Sequence, residues 1–189
     1  MSKNNTMTPD RQASLNRFLA SVERRAFRMA HIATGHTDDA MDIVQDTMMT
    51  LVRKYSAKTD AEWGPLFHTI LQSRIRDFYR RSSVRNRLRS WLHWNDDDDN
   101  AGDPLDSLPD QQGKSPEQRL HLDHATDALS AALHALPLRQ QQAFLLRNWE
   151  DMDVAETARA MGCSTGSVKT HYSRAVHALR AKLEDHVDA

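Results

Sequence analysis

The spacing of apolar residues predicts an all-α fold: two small helical domains joined by a flexible acidic linker, the C-terminal one a helix-turn-helix. Three observations point there. Apolar residues recur at helical spacing, and no convincing stretch alternates as a half-buried strand must. Residues 95–115 hold four aspartates in a row, glycine, proline and few large apolar side chains, too little to bury and so to order. Near the end, Val154, Ala155, Ala158 and Met161 share one face of a short helix, Gly162 permits a sharp turn, and a second helix follows.

Taken in order, Leu15, Phe18, Leu19, Val22, Ala26, Met29 and Ala30 line one face of a first helix, which Gly35 stops. Thr37 is placed to cap a second helix, with Asp38 and Asp39 in its first turn, where the positive end of the helix dipole favours them. Ile43, Val44, Thr47, Met48, Leu51, Val52 and Tyr55 recur on its inner face. A loop over residues 56–64 follows, and Pro65 suits the first turn of a third helix. That helix buries Leu66, Phe67, Ile70, Leu71, Ile75 and Phe78, then continues into an arginine run. After the linker, Leu122, Ala125, Leu129, Ala132, Leu133 and Leu136 mark a lead-in helix. Pro137 ends it and begins a support helix carrying Phe144, Leu145 and Leu146. Ser164 or Thr165 can cap the last helix, running from about Ser167 to Leu183. The domains expected are therefore 10–94, a linker over 95–116, and 117–185.

The chain has 189 residues, room for one ordinary domain or two small ones. Its formal charge of −1 hides a strong asymmetry. From Arg74 to Arg89 seven arginines face one acid, Asp77; from Asp96 to Glu117 eight acids face one lysine, Lys114. Such blocks serve either as solvated surface or as a dipolar arrangement for polyanionic partners. The single cysteine, Cys163, excludes an internal disulfide and a cysteine-based metal site, and reads as a small turn residue. His121 and His124 lack further ligands nearby, so no metal is expected. No apolar run approaches the roughly 20 residues of a membrane span, and residues 1–11 lack an apolar signal core. A cytoplasmic protein without membrane insertion is expected. No phosphate loop, catalytic triad or paired carboxylates stand in a credible setting, so neither enzyme chemistry nor a cofactor is expected.

Three motifs carry a resemblance. Asp42-Ile43-Val44-Gln45-Asp46-Thr47-Met48 resembles the D-x-x-Q-[DE] helix of the bacterial sigma factors. The segment from Trp63, ending Arg76-Asp77-Phe78-Tyr79-Arg80-Arg81, resembles their promoter-melting helix. Leu136-Pro137, Arg139, Phe144 and Leu146, followed by Ala155-Glu156-Thr157-Ala158 and Gly166-Ser167-Val168-Lys169, resembles their C-terminal DNA-reading domain. Order, spacing and brevity together resemble the extracytoplasmic-function class, which keeps only the two DNA-binding domains.

This resemblance implies an alternative sigma factor with three working surfaces. Asp42, Gln45, Asp46 and Met49, one turn apart on an outer face, would dock core RNA polymerase at the clamp of its largest subunit, with the flap as a further contact. Trp63, Ser73, Arg74, Arg76, Tyr79, Arg80 and Arg81 would hold the −10 DNA, by positive charge along the backbone and stacking for unpaired bases. The loop over 56–62 would pocket a flipped base. Family members often carry asparagine where Ser73 stands. Ser167, Lys169, Thr170, His171, Ser173 and Arg174 would face the −35 element, as helix-turn-helix recognition helices do. His171 replaces an arginine frequent in the family and lacks its bidentate fork. The linker is either a solvated tether or a strand threading the polymerase cleft. A dedicated anti-sigma factor is a common partner in this family. The alternative reading is a stand-alone helix-turn-helix regulator with an N-terminal sensor or dimerisation domain, which needs neither the D-x-x-Q helix nor the arginine-aromatic segment.

Overall fold

The structure, a computed structural model, describes residues 8–92 and 124–187, with side chains at 8–83 and 128–183. Its elements are α1 (Pro9–Thr34), α2 (Thr37–Tyr55), α3 (Asp60–Leu92), α4 (His124–His134), α5 (Leu138–Asn148), α6 (Val154–Met161) and α7 (Thr165–Val187). Among the described residues every regular element is a helix, as the apolar spacing required. The chain gathers into two compact units, up to Ile75 and from Arg76 onward, and each is described by itself.

In the first unit α1 packs along α2. Gly35 stops α1 in the left-handed conformation, φ 74°, its N–H bonded to the His31 carbonyl at 2.8 Å. The core holds Leu15, Val22, Ala26 and Met29 from α1, Ala40, Ile43, Val44 and Leu51 from α2, and Trp63, Phe67, Leu71 and Ile75 from α3. The Phe18 ring meets those of Trp63 and Phe67, at 5.9 and 6.0 Å between centroids, so α1 and the start of α3 share one apolar seam.

Four expectations need correction here. Thr37 is the first residue of α2, not its cap; His36 takes that place without a side-chain hydrogen bond. Val52 is 37% exposed, because the inward face of α2 is already filled at Thr47 and Leu51. Leu66, Ile70 and Phe78 are only half-buried, and His68 and Gln72 lie inward instead. Finally, α3 begins at Asp60, so Pro65 stands inside the helix. The signal for that earlier start is Thr59-x-x-Glu62, half of a capping box. The Glu62 carboxylate accepts from the Thr59 N–H and hydroxyl, both at 2.9 Å.

In the second unit α7 packs against α4, α5 and α6. Its core comprises Ala143, Leu146, Met152, Ala158, Ala160, Met161 and Val168, with Val154, Cys163 and Tyr172 packed beside it. Ala155, expected inward, is exposed; Thr157 takes the inward position. The expected linker, 95–116, and the start of the expected 117–185 domain lie outside the described residues, as does His121.

Candidate nucleic-acid interface

The turn between α6 and α7 is built by local chemistry at both ends. Asp153 caps α6, accepting from the Glu156 N–H at 2.7 Å, while the Glu156 carboxylate accepts from the Asp153 N–H at 2.8 Å. Gly162 closes the helix at φ 65° and ψ 43°, with its N–H on the Arg159 carbonyl and the Cys163 N–H on that of Ala158. Space is not what demands glycine, since a Cβ would meet nothing closer than 3.8 Å. The positive φ does, at a cost of about 1–2 kcal/mol to any residue with a Cβ. Ser164 then caps α7, its hydroxyl accepting from the Ser167 N–H at 3.1 Å.

This geometry sets the rotation of α7. Val168, Ala175 and Leu179 are buried against the support helices. Tyr172 stacks on Phe144 at 6.3 Å and lies under the Arg147 guanidinium at 6.0 Å. Lys169, Thr170, Ser173 and Arg174 consequently share the exposed face of the first turns. Two of the expected contacts stand less open. Ser167 is half-buried and bonded to Ser164 through its hydroxyl, at 2.9 Å; His171 is half-buried on the flank of the helix. Burial raises the pKa of the Cys163 thiol, against the pull of Arg139 and Arg76, which keeps it protonated and unlike a reactive thiolate.

On α2, Asp42, Gln45, Asp46 and Met49 are all exposed and fall on one strip. Two neighbours escaped the sequence reading: Met41, 57% exposed, and Val52 border the strip with apolar surface. Exposed apolar and polar side chains thus lie side by side on this face of α2. Met41 had a signal, an apolar residue standing out of step with the inward face; Val52 stands in step with that face and had none.

The α3 residues divide. Trp63, expected as a possible stacking platform, is 1% exposed and its indole Nε1 donates to the Tyr55 carbonyl at 3.1 Å. Its ring is closed to any base. Arg74 is half-buried and reaches the Thr50 hydroxyl at 3.3 Å, beside half-buried Ser73. In the second unit Arg76 is half-buried, its guanidinium donating to the Met161 carbonyl, and burial lowers its pKa. Tyr79 is half-buried, its ring edge-on to Phe78 at 6.1 Å. Arg80 and Arg81 are exposed; Arg80 pairs with Asp77 at 3.1 Å and Arg81 bonds the Asp77 carbonyl at 3.2 Å. Exposed pairs of this kind contribute little to stability.

The segment before α3 is short and firmly held. Besides the Thr59–Glu62 bonds, Lys58 pairs with Glu62 at 3.1 Å, and Arg11 of α1 donates from Nε to the Ser56 carbonyl at 2.8 Å and from Nη2 to that of Lys58. The Arg11 guanidinium also lies over the Trp63 ring at 5.9 Å. Hydrogen bonds from the Thr59 N–H and hydroxyl, then from Lys58, draw the Glu62 pKa from the ordinary 4.5 to about 2. A carboxyl lowered on folding stabilises the folded form above its unfolded pKa and loses that contribution as pH falls through the folded one. These bonds to Glu62 are therefore formed at neutral pH and expected to open between about pH 4.5 and 2. A carboxyl titration followed by NMR checks this; a Glu62 midpoint near 4.5 would show the bonds open in solution.

Among the described residues no group of three or more His, Cys, Asp or Glu is placed to hold a metal ion, and no helix is long and apolar enough to cross a membrane. Comparison with known proteins agrees with the geometry. Residues 126–179 match the family described as Sigma-70, region 4. The chain is 30% identical over 173 residues to the RNA polymerase sigma-E factor of Streptomyces antibioticus, covering 92% of this chain and 88% of that one. It is 27% identical over 161 residues to the ECF RNA polymerase sigma factor BldN of Streptomyces coelicolor, covering 84% of this chain and 56% of that one. Its fold is similar to that of the sigma factor RpoE of Bartonella quintana, solved in complex with the anti-sigma factor NepR. That match has a TM-score of 0.61 at 25% identity, over 94% of this chain and 98% of the other.

Proposed function

The chain belongs to the RNA polymerase sigma factors of the ECF type, and from that premise we propose how its surfaces share the work of an alternative sigma factor. The exposed strip of Asp42, Gln45, Asp46 and Met49, bordered by Met41 and Val52, docks core RNA polymerase at its largest-subunit clamp. Ser73, Arg74, Arg76, Tyr79, Arg80 and Arg81 hold the opened −10 strand, and the exposed side chains of residues 57–61 meet a base turned out of it. Lys169, Thr170, Ser173 and Arg174 read the −35 element, with Ser167 and His171 at its margins. The domains divide at 10–94 and 117–185, joined by the acidic linker. The protein performs no chemistry itself; it works in the cytoplasm, positioning the polymerase that does. An anti-sigma factor, of the kind bound to the structural neighbour, covers the polymerase-docking strip when the protein is held inactive.

The carrying observation is the exposed face Lys169, Thr170, Ser173 and Arg174, held outward by buried Val168, Ala175 and Leu179. Major-groove recognition asks for this arrangement: a helix fixed from behind with hydrogen-bonding side chains at its start. A stand-alone regulator is disfavoured because the matches run along nearly the whole chain, not along its helix-turn-helix alone. The test is in vitro transcription of fragmented genomic DNA by core polymerase, with and without the protein. New starts are expected to share two upstream elements at one spacing. Starts sharing a single element would overturn the division between α3 and α7.

A further inference from the structure

The loop between α2 and α3 is held by a residue 45 positions away in sequence from its first carbonyl partner. Arg11 bridges the carbonyls of Ser56 and Lys58 with two arms of one planar guanidinium, whose central carbon lies over the Trp63 ring. Trp63 in turn holds the Tyr55 carbonyl, immediately before the loop. The backbone carbonyls thus turn inward, toward α1, while Ala57, Lys58, Thr59, Asp60 and Ala61 are presented to the outside. A fork that spans two carbonyls fixes both a distance and an angle, which a single ammonium cannot. A loop already in its binding shape loses less freedom on meeting its ligand, and it discriminates better because a wrong ligand cannot be met by adjustment.

We infer that Arg11 is a positioning residue for −10 base selection: by bridging Ser56 and Lys58 it sets the shape in which residues 57–61 meet the turned-out base. The inference rests on the assignment of that loop to base capture. Arg11 acts through the loop and makes no contact with DNA.

The experiment uses holoenzyme made from core polymerase and the full chain, with R11A, R11K and, as a loop reference, the double change K58A/T59A. Transcription is measured on promoter templates carrying each of the four bases at every −10 position, over a range of salt. Preference for the best over the worst base is expected to fall about tenfold in R11A, below the roughly hundredfold that a 1 Å misplacement can cost. R11K, which keeps the charge and the contact with Trp63, is expected to lose most of the same preference. Core co-migration and the salt slope should stay unchanged. Four results with the Arg11 variants overturn the inference. One is equal loss on all four bases with a salt slope shallower by about one, the signature of a direct phosphate contact. The others are full rescue by R11K, an R11A that discriminates like the parent, and an R11K that does so should R11A fail to fold. If K58A/T59A leaves base preference unmoved, the assignment of the loop itself fails, and the inference with it.

Discussion

Changing Asp42 to Arg and Gln45 to Ala together is expected to abolish co-migration with core RNA polymerase while leaving helix content and thermal midpoint unchanged. Both side chains are exposed on the outer face of α2, whereas the residues holding α2 in the fold, Ala40, Ile43, Val44, Thr47 and Leu51, are buried on the opposite one. The fold therefore does not depend on the altered groups. The interface does. A reversed charge at the centre of an interface leaves one partner's charge facing its like and strands desolvated polar groups, at a cost of about 2–5 kcal/mol. That lowers affinity by roughly 30- to several thousand-fold. Met49 and Val52 remain in the variant, so residual binding would measure what the apolar border contributes. Undiminished binding would move the docking surface off α2 altogether.

Arg174→Ala should weaken recognition of the −35 element by about 1–3 kcal/mol, the range for a bidentate arginine contact with guanine. On a template whose −10 region is already opened and which lacks a −35 element, the same variant should transcribe like the parent. The contrast separates reading from melting, because Arg174 sits on the exposed face of α7 whereas the −10 strand is assigned to α3. Lys169→Ala is the control: a phosphate contact is lost equally on all sequences, with the salt slope shallower by about one. Equal losses by Arg174→Ala on both templates would refute the division of labour.

What repeats along the chain, or closes within a few residues, was legible from the order of residues. Helical spacing of apolar residues established the fold class, since each helix must bury one stripe. Gly35 and Gly162 both sit at positive φ where the sequence placed helix ends, because only a residue without Cβ adopts that conformation cheaply. The strip at Asp42, Gln45, Asp46 and Met49 was legible for the same reason: residues three and four apart on a helix share a face. The Thr59-x-x-Glu62 signal is equally local and outweighs Pro65 as a mark of the same helix start. Tertiary structure alone decided matters that depend on which helix faces which. Trp63, an aromatic beside a basic segment, became a core residue because α1 lays Phe18 and Arg11 against it. Val52 was left outside because one face of α2 had room for only so many side chains. The shape of the loop before α3 was decided by a guanidinium from the start of α1. No periodicity reports such a bond, because its two ends meet only after the helices between them have packed.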